Sequence, residues 1–313
     1  MINYSKLFLV SVVTALLLAV SASAQISRAF VAVNTGDDAS PCVSSSPCRT
    51  INKAMSVVEA GGQIILTESG DYDRFVVTRS IKVAAARGVN AGVSSNGGAA
   101  VLLIGLLFTD TVSFQDLHFF GSGGQTSDGI INSFAGTLNV DNCVFTGFNN
   151  ALTMSNVAGF LSVHNSTFRG NMFGVTVVGP PGEGMERATI DSCTIESNET
   201  GFLVSGKASA TIRNSILSNN SRSAIRVSSS MARWAADVLV DNCQINYNAI
   251  GVLLGGTNGG YSSARLSRST ITGNFIGGVS IGANSAAFTL GNNVIAGNFP
   301  DVNGGSLIGL LTK

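Results

Sequence analysis

Seven stretches decide the fold of this chain: LNVDNCVF (138–145), LSVHNSTF (161–168), ATIDSCTI (188–195), ATIRNSIL (210–217), VLVDNCQI (238–245), ARLSRSTI (264–271) and FTLGNNVI (288–295). A weaker copy, VSFQDLHF (112–119), precedes them. The closing apolar residues, from Phe119 to Ile295, are 26, 23, 27, 22, 28, 26 and 24 residues apart. Self-similarity at a period of about 25 residues signals a repeat architecture, in which no unit buries its apolar face alone. In ATIDSCTIESNETGFLVSG, Ala188–Ile190 and Cys193–Ile195 read as short strands with their first and third residues inward, and Gly201–Val204 as a third strand. No coil contains the long 3.6-residue periodicity that an α-solenoid needs. The expected fold is all-β, a right-handed parallel β-helix with three short strands per coil and about 8–10 coils.

The turn after the second strand carries the sharpest pattern. Three residues beyond six successive closing residues stand Asn171, Asn198, Asn220, Asn248, Asn274 and Asn298, with Phe148 at the head of the column. Coils about 4.8 Å apart would let these amides bond to one another up the stack. Gly174, Gly201, Gly251 and Gly277, three residues further on, are expected to make room where the chain enters the third strand.

Around the repeats, Lys6, the apolar run Leu7 to Val20 and Ala22-Ser23-Ala24 form a secretory signal pattern, too short to span a bilayer. The expected organisation is 1–24 signal peptide, 25–66 N-terminal cap, 67–300 parallel β-helix and 301–313 C-terminal strand or cap. Within the cap, RTINKAMSVVEA (49–60) places Ile51, Ala54, Met55 and Val58 on one helical stripe, which would cover the first coil. The expected location is secreted, periplasmic or cell-surface, with no membrane insertion once the signal is cleaved. Basic and acidic residues balance at 18 each, so nothing marks a nucleic-acid partner.

An exported chain permits a disulfide between Cys42 and Cys48. Cys143, Cys193 and Cys243 lie two coils apart, about 9–10 Å by strand spacing. A disulfide needs Cα atoms within about 7 Å, so these three should stay free and buried.

The stretch FVAVNTGDDASPCVSSSPCRTINKAM, followed by AGGQIILTESGDY and the LxVxNCxF-type units, resembles secreted β-helix proteins of the pectate-lyase-like superfamily. The resemblance spans nearly the whole mature chain and implies fold more than activity, because one fold hosts many functions. In polysaccharide-cleaving members, acidic residues on the outer face of the first sheet hold calcium or act as general acid. The matching positions here are Ser113, Asn139, Ser162, Thr189, Thr211, Leu239, Arg265 and Thr289, none of them a carboxylate.

Charge instead occupies the bend column: Gln115, Asp141, His164, Asp191, Arg213, Asp241 and Ser267. Asp141, His164, Asp191, Arg213 and Asp241 are the candidate catalytic residues, read in the first instance as a ladder of alternating charges that sets register. Three longer loops, 179–188, 228–237 and 255–264, would gather Glu186, Arg187, Arg233, Trp234 and Tyr261 as a ligand-binding set, the aromatics offering a face to a sugar ring. Two readings follow. The favoured one is a structural, surface-interaction or glycan-binding module whose partner is a polysaccharide or cell-surface glycan, with no cofactor and no metal. The alternative is a polysaccharide lyase or glycoside hydrolase, which would bring in calcium.

Overall fold

The computed structural model describes residues 25–122, 127–133, 136–155, 158–182, 184–230 and 234–310. The segment expected to be a signal peptide, 1–24, lies outside them. Among the described residues, three parallel sheets wrap one apolar core. The first has twelve strands, from Ile26–Val31 to Ile308–Gly309, and collects the first strand of every coil. The second runs from Gly70–Asp71 to Val294–Ile295 and the third from Phe75–Val77 to Val302–Asn303, with ten strands each. Each strand pairs with the equivalent strand one coil away, and every pairing between named strands is parallel, as in Phe145 opposite both Phe119 and Phe168. The expected β-helix therefore forms, in the register that the repeat spacing set.

Inside, the closing residues stack directly. The rings of Phe119 and Phe145 lie 4.7 Å apart, and those of Phe145 and Phe168 lie 4.8 Å apart at an interplanar angle of 6°. Strand alternation places the apolar residues inward at zero exposure throughout the middle coils, for example Ile190, Ile195, Phe202 and Val204.

The asparagine column forms a continuous internal ladder. The oxygen of each asparagine accepts both the backbone N–H and the side-chain Nδ2 of the asparagine one coil earlier, from Asn171 onto Asn198 (both 3.0 Å) to Asn274 onto Asn298 (3.1 and 2.7 Å). Phe148 N–H donates into the ladder at one end, and Asp301 accepts from Asn298 at the other. The residue before each ladder asparagine is in the left-handed region, whether glycine (Gly170) or not (Ser197, Asn219, Tyr247). At the glycine column, a Cβ on Gly174 would lie 2.5 Å from Gly201 O, and one on Gly251 would lie 2.5 Å from Gly278 O. The fourth member is thus Gly278 rather than Gly277, which pairs with Ile250.

A second column alternates cysteine and serine. The N–H groups of Cys143, Cys193 and Cys243 each donate 3.1 Å to the hydroxyl of Ser166, Ser215 or Ser269 in the next coil. All three cysteines are free and buried. Burial pushes their thiols up, to about 12 for Cys143 and Cys193 and about 11 for Cys243. Cys42 and Cys48 form the disulfide, with Cα atoms 4.6 Å apart.

Two local readings shift. The helix spans Ile51–Val57, capped by the Thr50 side chain, and buries Ile51, Ala54 and Met55; Val58 already opens the strand Val58–Leu66. In the last coil one extra residue enters the bend, so Arg265 faces Phe288 and Leu266 faces Thr289. The C-terminal segment supplies a strand, Ile308–Gly309, beside Phe288–Thr289. Among the described residues no helix is long and apolar enough to cross a membrane.

Candidate functional site

The bend column is assembled as expected. Asp141, His164, Asp191, Arg213 and Asp241 end successive first-sheet strands in direct register. Their polar groups are committed to one another and to the next residue of the bend. Arg213 donates to Asp191 through Nε at 3.0 Å and a terminal nitrogen at 2.8 Å, and Asn214 adds a bond of 2.8 Å. Burial raises the Asp191 carboxyl, but bonds from Asn214, Ser192 and Arg213 outweigh it and hold the group below its usual range. Asp241 turns to Arg268, and Asp141 accepts from Asn165 at 3.1 Å. His164 bonds Ser162 at 2.8 Å through Nε2, while Nδ1 stands 3.9 Å from Asp191. One more outward carboxylate, Asp237, is held by Arg265 and by Ser263. The first sheet thus presents paired charges. Among the described residues no three His, Cys, Asp or Glu side chains gather to hold a metal ion.

The loop set is only partly brought together. Trp234 and Tyr261 sit on adjacent coils, with Tyr261 N–H donating to Trp234 O at 3.0 Å. The Trp234 ring is half-buried, and the Lys207 ammonium stands 4.7 Å from its centroid. Arg187 is exposed, but Glu186 is fully buried at the start of the strand Glu186–Asp191, accepting from Gly159 N–H at 2.6 Å. Glu186 therefore faces away from the surface that Arg187 occupies. Arg233 lies outside the described residues.

A cleft that the sequence reading passed over lies along the second sheet. It encloses about 670 Å³ and is lined by Arg87, Asn90, Asp116, His118, Asn142 and Arg169, with Leu117 and Val144 between them. Register explains the grouping. His118 pairs with Val144, and Arg169 stands two coils beyond Phe120 in the neighbouring outward column. The turn at Arg87-Gly88, with Gly88 in the left-handed region, forms part of the cleft wall. His118 is half-buried, with Nε2 3.3 Å from the Thr146 hydroxyl. Burial, and then the Arg169 charge, depress its pKa, so the ring is neutral near pH 7. Asp116 accepts from Asn142 at 2.6 Å. Arg87 and Arg169 are exposed, and neither makes a side-chain hydrogen bond or ion pair among the described residues. The available signal was the placement of His118 and Arg169 at outward second-strand positions with no acid in register between them.

Residues 181–308 match the family described as right handed beta helix region. Pectate lyase Pel9A superposes with a TM-score of 0.53 at 15% identity, over 89% of this chain and 78% of that one. The chain folds as a right-handed parallel β-helix. Lower similarities relate this β-helix to XylC in complex with xylose (TM-score 0.49, 11% identity, 88% and 66% covered). A GH136 lacto-N-biosidase from Eubacterium ramulus also aligns (TM-score 0.47, 10% identity, 87% and 65% covered). No curated protein matches the sequence. At these identities the likeness concerns fold alone.

Proposed function

We propose that this β-helix is a rigid module that binds acidic carbohydrate outside the cytoplasm, in the cleft between Arg87 and Arg169. The observation that carries the reading is the pairing of two exposed, uncommitted guanidinium groups with a neutral half-buried histidine in one concavity. Guanidinium groups bind carboxylate or sulfate bidentately, while Asn90, Asn142 and the Asp116 carboxylate offer partners to sugar hydroxyls. The Cys42–Cys48 disulfide supports an oxidising location. The paired carboxylates of the first sheet favour binding over cleavage there.

A second reading, polysaccharide lyase or glycoside hydrolase, is favoured by one feature: a neutral His118 beside two arginines is placed to take a proton. One screen tests both. Acidic and neutral polysaccharides are assayed for binding, and for unsaturated or reducing-end products, with and without calcium. Retention of acidic chains without products supports the module. Products that disappear in His118→Ala establish the enzyme instead; if no acidic chain is retained and no polysaccharide yields products, both readings are refuted.

A further inference from the structure

The outer face of the third sheet holds a second concavity, of about 360 Å³, with Arg226 on its wall. The strands Ser223–Ser229 and Ile250–Gly256 run side by side there, with Arg226 opposite Leu253 and Ser228 opposite Gly255. Alternation sends Ile225 and Val227 into the core at zero exposure and turns Arg226 and Ser228 outward. Gly255 faces the open space of the hollow, since a Cβ built on that residue meets nothing within 4 Å. Its backbone is outside the left-handed region, so other residues are tolerated at this position.

Arg226 is half-buried, yet makes no hydrogen bond or ion pair among the described residues. Its column neighbours are Leu203 and Leu253, which offer no acceptor. Partial burial, and then the like charge of Arg222, disfavour its charged form, and Arg222 itself is paired with Glu199. A half-buried guanidinium with five donors and no acceptor is costly unless a ligand supplies one. Around it, Ser230 and Thr257 present exposed hydroxyls with no side-chain bond among the described residues, while Ser229 is tied to Trp234 O.

We propose that Arg226 anchors a second ligand site, which takes a carboxylate-bearing sugar or sugar acid. The lone cation calls for a single negative charge, and its planar fork matches a carboxylate. Ser230 and Thr257 receive the hydroxyl groups of the ligand, and Leu253 lies under the apolar face of the ring. A volume near the lower end of small-molecule sites suits one or two rings rather than a chain. The site lies on a different sheet from the His118 cleft and does not depend on that reading.

The test is calorimetric titration of Arg87→Ala/Arg169→Ala protein, whose cleft is disabled, with D-galacturonate, D-galactose and sulfate. D-Galacturonate should bind once per chain, at least tenfold more tightly than D-galactose or sulfate. Arg226→Met and Gly255→Glu, each added to that background, should weaken it at least tenfold, the second by filling the hollow and pairing with Arg226. Thermal melting confirms that both variants fold. Binding unchanged in either folded variant, equal binding of sulfate, or no binding of D-galacturonate overturns the proposal.

Discussion

Replacing Asn220 by alanine cuts the internal ladder at its middle. Asn220 has no solvent exposure, and its side chain makes four bonds. Its oxygen accepts from the Asn198 N–H and Nδ2, both at 3.1 Å, and its Nδ2 donates to Ile195 O at 3.1 Å and Asn248 Oδ1 at 2.8 Å. In Asn220→Ala the Asn198 N–H loses its acceptor outright, and Asn198 Nδ2 keeps only its bond to Phe168 O. Ile195 O loses its side-chain donor, whereas Asn248 Oδ1 retains the Asn220 N–H. Two buried donors stranded at about 1–3 kcal/mol each give an expected loss of about 4 kcal/mol. That is a large share of the roughly 5–15 kcal/mol that holds a typical domain together. Asn298→Ala at the half-buried end of the ladder should cost about 1 kcal/mol, because water replaces the lost partners. Urea unfolding of both variants, with slopes compared to the parent, measures the difference. If Asn220→Ala costs less than about 1 kcal/mol, or no more than Asn298→Ala, the ladder is not a stabilising element and the reasoning fails.

Three further outcomes are expected. His118 has a depressed pKa in the free protein, so its folded state loses stability as pH falls from the ordinary value near 6.5 through the lower folded one. An anion in the cleft favours the protonated ring, so affinity for an acidic glycan should rise over that interval; calorimetry at several pH values should show the rise lost in His118→Gln. Thiol titration of denatured, unreduced protein should find three reactive groups, Cys143, Cys193 and Cys243, and native protein none over the same time; a count of one in the denatured protein would contradict the free cysteines. Asp191→Ala should cost about 1–2 kcal/mol through lost bonds to Arg213 and Asn214, read by urea unfolding at neutral pH. Because the folded Asp191 pKa is lowered, that contribution should fade as pH drops below the ordinary carboxylate value, and glycan affinity should not change.

Most of the fold was legible because period and alternation are local signals. Each closing residue from Phe119 to Ile295 lies in one column, and the ladder asparagines bond as their spacing implied. What failed was the residue-level fit where a coil departs from the repeat, as at Gly278 and at Phe288 beside Arg265. The bend column was legible for the same reason as the fold, since register alone joins His164 to Asp191. The cleft was not, because it depends on the Arg87-Gly88 turn, which lines it together with Asp116 and His118. That bend is longer than its counterpart one coil on, since Ala84 pairs with Gln115 and Ala91 with Leu117, which leaves residues 85–90 opposite Asp116 alone, so no periodic signal reports it. Trp234 was visible as an aromatic loop residue, but Lys207 over its ring was not, since that contact joins successive coils through their loops.

The most direct measurement of the central claim is the affinity of an acidic oligosaccharide for the cleft. It is taken in Gly255→Glu protein, where the third-sheet concavity is filled, with and without Arg87→Ala/Arg169→Ala. Saturable binding that weakens at least tenfold in the double variant, while the melting temperature holds, is the expected result. Equal affinity with both arginines removed would contradict it.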